Sequence, residues 1–204
     1  MPTSFIVVDD FLENAQEYRN AALRLDFPQD QGEVGYPGRN SSNRLLLDGL
    51  DQAISSIVGE RLKANTRAGH GRARITLEGD EGLAGVHIDP CHWSAILYLS
   101  LDEHAQGGTD FFRHKETGAE RALLEPQDIK RLGVSSPQEA NVIFNRILSE
   151  DGKDPSKWER VMRVPMKFNR LLLLRPWLFH TATEGFGDSL ENGRLIQILF
   201  FDKA

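Results

Sequence analysis

One cysteine, Cys91, stands in a chain of 204 residues. That excludes a disulfide framework and a CxxC zinc site, and it fits a reducing compartment. Long apolar runs are missing as well: nothing approaches the roughly 20 residues of a membrane-spanning helix. Basic residues are the minority, 24 Lys and Arg against 30 Asp and Glu, for a formal net charge of −6. Such a balance favours solubility and disfavours a nucleic-acid partner. The opening Met1-Pro-Thr-Ser-Phe-Ile-Val-Val-Asp-Asp lacks the basic stretch and apolar core of a secretory signal, so a cytoplasmic location away from membranes is expected. Internal repeats and low-complexity segments are absent. What is present is average for a globular domain, 40% hydrophobic and 26% charged. The length suits one domain over residues 1–204 with a full core. One irregularity stands out: all six histidines fall between His70 and His180.

The first 72 residues read as a helical support. Phe5 to Val8 is a short strand, and Asp9 or Asp10 caps a helix whose apolar positions Phe11, Ala15, Tyr18, Ala22 and Leu25 share one face. Residues 28–43, rich in Gly, Pro, Asn and Ser, read as loop. A second helix is expected from about Gly49 to Leu62. From residue 73 the hydrophobic period changes from helical to two. Strands are expected at Arg74–Glu78, Val86–Asp89, Ser94–Leu101, Thr109–Arg113, Ala119–Leu124, Val161–Val164, Arg170–Leu174, Leu178–Thr181 and Arg194–Phe201. A helical insertion interrupts them at about 125–160. It carries a capping box, Ser136-Pro-Gln-Glu139, and a short helix from Asp154-Pro155 that includes Trp158. Many short strands with turn signals indicate a mainly β (α+β) domain, a sandwich or barrel covered by the N-terminal helices.

Three features carry chemistry. In His87-Ile88-Asp89, residues two apart on a strand project to one face, so an imidazole and a carboxylate stand side by side. His180, in an apolar stretch, offers a second imidazole; taken singly it reads more readily as a core histidine. Arg194 opens a strand that is apolar on both faces, and a guanidinium there needs a partner. That partner is either an acidic side chain or a ligand carboxylate gripped bidentately. Two histidines and one carboxylate leave about half of an octahedral iron's positions open, the arrangement of non-haem Fe(II) oxygenases.

In this ordered set the chain resembles the 2-oxoglutarate/Fe(II)-dependent dioxygenases, in particular the prolyl-4-hydroxylase-like branch. The resemblance covers about residues 74–201 and rests on His87-x-Asp89, Tyr98-Leu99-Ser100, Gly107-Gly108-Thr-Asp-Phe111, His180 after Leu171–Pro176, and Arg194. It implies a double-stranded β-helix, a jelly-roll or cupin-like barrel over residues 73–201. It also implies Fe(II) held by His87, Asp89 and His180, and 2-oxoglutarate held by Arg194 with help from the Tyr98 hydroxyl. Oxygen is then the other substrate, succinate and CO2 are products, and a small molecule or peptide is hydroxylated. An intact Asp89 favours hydroxylation over halogenation. Two departures from the family's pattern are the long gap between Asp89 and His180, and Ile196 where many relatives carry Ser or Thr. A cupin-like metal enzyme without 2-oxoglutarate (an isomerase, lyase or hydrolase) and a non-catalytic binding module are the alternatives. No motif demands a homodimer, and none forbids it.

Parity on the strand after Ser94 places Ser94, Ile96 and Tyr98 toward the barrel interior and Ala95, Leu97, Leu99 and Leu101 toward the helices. His92 is a rival ligand that Pro90 is expected to turn toward the mouth or the surface. Cys91 carries no sign of being a nucleophile. His70, His104 and His114 lie in polar stretches and are expected to be solvated. Arg39 and Arg175 are further candidates for substrate contact.

Overall fold

The computed structural model describes residues 3–29, 35–67, 69–82, 84–122 and 133–204. Its large sheet has the order β1-β8-β5-β10-β4-β2, with β3 added beside β10. These are β1 (Phe5–Val8), β2 (Arg39–Arg44), β3 (Leu62–Ala64), β4 (Arg72–Thr76), β5 (Trp93–Tyr98), β8 (Leu171–Leu174) and β10 (Arg194–Lys203). A smaller sheet, β7-β6-β9, faces it and consists of β6 (Gly108–His114), β7 (Trp158–Pro165) and β9 (His180–Ala182). All named pairings are antiparallel.

Alternation along the strands sorts side chains into two layers. In β8 four leucines follow one another and all are buried; Leu171 and Leu173 join the core under the helices, and Leu172 and Leu174 the core between the sheets. Such a run needs a sheet covered on both faces. The helices α1 (Ala15–Leu23) and α2 (Leu50–Val58) provide one cover through Tyr18, Ala22, Leu50 and Ile54. Ala95, Leu97 and Leu99 pack against them, on the face that parity assigns. Between the sheets lie Tyr98, Phe111, Val164, Leu172, Leu174 and Ile196. A third cluster holds α3 (Pro137–Glu150) on the far side of the small sheet, with Ala140, Phe144 and Ile147 against Trp158 and Phe179.

Several boundaries differ from expectation for identifiable reasons. The first helix begins at Ala15 because Asp9 is engaged by Arg170 at 2.6 Å and Lys167 at 3.1 Å, while Phe11 and Leu12 donate their N–H groups to Asn169. Gly59, at φ +70°, ends α2 early, and Leu62 becomes strand. The polar segment Arg39–Arg44, read as loop, is an edge strand on β4 interrupted by a bulge. Gly38 turns the chain into it at φ +85°, where a Cβ would lie 2.2 Å from the Ile75 carbonyl oxygen. The expected strand Val86–Asp89 pairs only at His87, which exchanges both hydrogen bonds with His180 at 3.0 and 3.1 Å. Pro90 has no N–H with which to extend that ladder. Of Ala119–Leu124, a single bridge joins Arg121 to Leu178, and residues 123–124 lie outside the described residues. In the insertion, residues 125–132 also lie outside them. The capping box forms, the Ser136 hydroxyl accepting from the Glu139 N–H at 3.2 Å. Pro155–Lys157 is one 3₁₀ turn, and Trp158 is the first residue of β7 rather than part of that helix.

Candidate active site

His87, Asp89 and His180 come together although 91 positions separate Asp89 from His180. The reciprocal bridge between His87 and His180 does this: it sets the two imidazoles side by side, tilted by 54°, with centroids 4.5 Å apart. One ligand atom from each of the three residues lies within 4.8 Å of the others. Asp89 Oδ2 is 3.4 Å from His180 Nε2, and Asp89 Oδ1 is 3.8 Å from His87 Nε2.

Their orientation is fixed by neighbours. His87 Nδ1 lies 2.9 Å from the Gly85 carbonyl, and His180 Nδ1 lies 2.7 Å from the Leu178 carbonyl. A carbonyl only accepts, so each Nδ1 carries a proton and each Nε2 is turned toward Asp89. Ser94 donates its hydroxyl to Asp89 Oδ2 at 2.6 Å. Ser94 was not singled out as a site residue, yet the alternation of β5 already puts it on the cavity side. Burial, with His180 alongside, lowers the His87 pKa to about 4, so His87 is neutral and available as a donor at physiological pH. Burial opposes the Asp89 charge, but His180, His87 and the Ser94 hydroxyl outweigh it and bring Asp89 down to about 2. Burial likewise opposes charging His180; the adjacent Asp89 prevails and raises it.

The three residues line a cavity of about 410 Å³, within the usual size range of small-molecule sites. One face of β10 walls it with Arg194, Ile196, Ile198 and Phe200, the set that alternation predicts. Arg194 is 1% exposed. Its Nη2 donates to the Gly108 carbonyl at 3.3 Å, and its Nε has no hydrogen-bond partner. Among the described residues no carboxylate forms an ion pair with it, so the alternative of a structural salt bridge is not realised. Burial lowers its pKa, partly offset by Tyr98 nearby. Tyr98 itself is fully buried, and its hydroxyl shares a 2.8 Å hydrogen bond with Thr109. Thr109 reaches the cavity wall.

Other candidates go elsewhere. His92 bonds Glu60 at 2.6 Å, and Arg175 pairs with the same carboxylate while stacking on Trp93 at 4.0 Å and Trp177 at 5.1 Å. Neither lines the cavity. Arg39 pairs with Ile75 on the edge strand and also stays outside it. Cys91 does reach the wall, but burial pushes its thiol up to about 12, which removes it as a nucleophile at neutral pH. The expectation that His70 and His114 are solvated is wrong: each is 1% exposed. His70 Nδ1 meets the Phe200 backbone and its ring abuts Phe201, whereas His114 bonds Asp151 at 3.0 Å and Thr117 at 3.0 Å. His70 is buried by the distant strand β10, and His114 by Trp158 and Asp151, which local polarity does not show. His104 is half-exposed beside Glu103.

Sequence reasoning missed Arg74, Tyr36 and Asn40, all on the cavity wall. For Arg74 a signal existed: on a strand with Ala73 and Ile75 facing one core, Arg72, Arg74 and Thr76 face the other side. Tyr36 lay in a stretch read as loop, which carries no facing information.

The fold is the double-stranded β-helix of the 2-oxoglutarate/Fe(II) oxygenases, as comparison with solved structures makes plain. HygX from Streptomyces hygroscopicus, solved with nickel, 2-oxoglutarate and hygromycin B bound, superposes with a TM-score of 0.55 at 14% identity, over 99% of this chain and 84% of that one. A prolyl hydroxylase from Trichoplax adhaerens, in complex with a hypoxia inducible factor oxygen degradation domain peptide fragment, gives 0.51 at 10%, over 98% and 84%. SnoK, a non-heme alpha ketoglutarate dependent carbocyclase from nogalamycin biosynthesis, gives 0.51 at 14%, over 99% and 87%. By sequence, residues 2–201 match the model of the family of unknown function DUF6445, and the chain belongs to that family. No protein of curated function matches it in sequence. Among the described residues no helix is long and apolar enough to cross a membrane.

Proposed function

We propose that this protein is an Fe(II)- and 2-oxoglutarate-dependent oxygenase that hydroxylates a substrate held in the 410 Å³ cavity, releasing succinate and CO2. The observation that carries the reading is Arg194, buried with an unpartnered Nε and, among the described residues, no acid paired with it, in the same cavity as His87, Asp89 and His180. An unpaired buried guanidinium costs several kcal/mol, and a ligand carboxylate is the group that relieves it. The donor set fits iron(II): two imidazoles and one ionised carboxylate, with room for further ligands. That HygX holds 2-oxoglutarate and nickel on the same fold supports the same pair of ligands here.

His87, Asp89 and His180 would hold the metal, which supplies oxygen activation coupled to oxidative decarboxylation of the keto acid. Everything else is done by the chain. The Gly85 and Leu178 carbonyls hold each Nδ1 and aim each Nε2 inward. Ser94 pins Asp89 Oδ2 and leaves Oδ1 free of side-chain hydrogen bonds among the described residues. Arg194 binds the far carboxylate, in reach of Tyr98 and of the Thr109 hydroxyl. Ile96, Ile196, Ile198 and Phe200 keep water from the reacting region.

The test is aerobic turnover of 2-oxoglutarate with Fe(II), read as succinate, alongside direct binding of metal and keto acid. Arg194→Leu is expected to keep the metal and lose 2-oxoglutarate. Unchanged 2-oxoglutarate affinity in that variant would return the chain to a metal enzyme of another type. The metal-independent fate of the fold is checked by His180→Ala, which should lose the metal.

A further inference from the structure

The cavity holds a second guanidinium that the reading above leaves idle. Arg74 stands in the row of the large sheet defined by the pairs Tyr98–Ile196, Ile196–Arg74 and Arg74–Asn40. Arg194, paired with Thr76, stands one row away on the same face. Arg74 Nε donates to Asn40 Oδ1 at 2.8 Å, and its guanidinium lies 5.2 Å from the centre of the Tyr36 ring. Tyr36 in turn packs edge-on against His87 at 4.6 Å. The terminal nitrogens of Arg74 make no hydrogen bond or ion pair among the described residues. Two other acids line the cavity, and neither answers it: Asp80 accepts the Leu77 N–H at 2.8 Å, and Glu184 is exposed.

Three carboxylates line the cavity, Asp89, Asp80 and Glu184, and among the described residues none forms an ion pair with Arg74. Burial, with Arg194 nearby, lowers the Arg74 pKa to about 10. Its neighbours along the wall are apolar: Ile196, Ile198 and Phe200.

Resting on the proposed oxygenase function, we infer that Arg74 is the substrate's anchor and that the substrate is anionic. It would carry a carboxylate placed against Arg74 and Tyr36 and an apolar body laid along Ile198 and Phe200. Tyr36 and Asn40 hold the guanidinium in place, and the stack from Arg74 through Tyr36 to His87 sets the carboxylate beside the metal-ligand cluster. A neutral substrate would leave the terminal nitrogens of Arg74 without a charged partner.

The experiment titrates the protein loaded with Ni(II) and 2-oxoglutarate with phenylacetate and hexanoate, each against its neutral amide, by calorimetry. The carboxylates should bind about ten-fold or more tightly than the amides, as expected for a charge-assisted hydrogen bond. Arg74→Gln should bring each pair within about two-fold, and Arg74→Lys should retain most of the preference. Equal binding of acid and amide by the unaltered protein overturns the inference, as does a preference that survives Arg74→Gln. Loss of 2-oxoglutarate binding in Arg74→Gln, with Arg194→Leu unaffected, also overturns it and makes Arg74 the keto-acid clamp. Failure of the unaltered protein to bind 2-oxoglutarate sinks the oxygenase reading instead. The acid–amide comparison on the unloaded protein then still decides the role of Arg74.

Discussion

Two arginines are buried to similar degrees and could hardly be treated more differently. Arg175, 5% exposed, is saturated: Glu60 pairs with it, it lies against the rings of Trp93 and Trp177, and the Thr3 carbonyl accepts its Nε–H at 3.2 Å. Arg194, 1% exposed, has one long bond to a carbonyl and an orphaned Nε. Burial alone therefore does not separate a structural arginine from a binding one. Partnership does: the first completes the fold, while the second keeps hydrogen-bonding capacity that, under the proposed function, a ligand carboxylate fills. The same contrast holds for the two histidine–carboxylate groups. His114 spends both ring nitrogens on Thr117 and Asp151, whereas His87 and His180 each spend one on a carbonyl and turn the other inward.

The comparison can be broken by exchange of consequences. Arg194→Leu should weaken 2-oxoglutarate binding roughly 100-fold or more and leave the melting temperature unchanged or higher, because it removes an unpaired buried charge. Arg175→Leu should do the reverse, leaving ligand binding intact and costing about 2–3 kcal/mol of stability by denaturant titration. That is less than the roughly 3–5 kcal/mol of a fully buried pair, since Glu60 is 29% exposed. A smaller effect is expected at Ser94→Ala, which releases Asp89 Oδ2 and should weaken metal binding roughly ten-fold. His114→Ala should leave metal binding unchanged, with stability alone affected. Unaltered metal affinity in Ser94→Ala, or a lost metal in His114→Ala, would blur the distinction between the two groups.

The smallest effect concerns pH. Burial lowers the His70 pKa below its ordinary value of about 6.5. The unfolded chain then binds the proton first as pH falls, so stability is full above about pH 6.5 and declines below it. His70→Gln should flatten the fall in melting temperature between pH 7 and pH 5. An unchanged slope would place the acid sensitivity on other groups.

Much of this was legible in the sequence, and for local reasons. Alternation is a property of the backbone, so β5, β8 and β10 and the faces of Ser94, Ile96, Arg194 and Ile196 could be read directly. The His87–Asp89 pair was legible for the same reason, even though its segment pairs at only one residue. The burial of His70 and His114 was not, because partners 130 and 37 positions away decide it. Arg74 fell between these cases. Its strand was identified, but its importance depends on Tyr36 and Asn40, which sit in a stretch whose composition says loop. The identity of the counter-charge to Arg194 was left open by the sequence, and only the packed structure shows that no described acid reaches it.

The central claim is that Arg194 and the His87–Asp89–His180 group belong to one ligand-binding unit. Anaerobic titration of the protein with Fe(II) and then 2-oxoglutarate tests it most directly, followed by visible absorption. The account predicts the metal-to-keto-acid charge-transfer band in the unaltered protein and in Arg175→Leu. It predicts that the band is absent from Arg194→Leu and His180→Ala at the same concentrations. No band in the unaltered protein, or a band undiminished in Arg194→Leu, would contradict it.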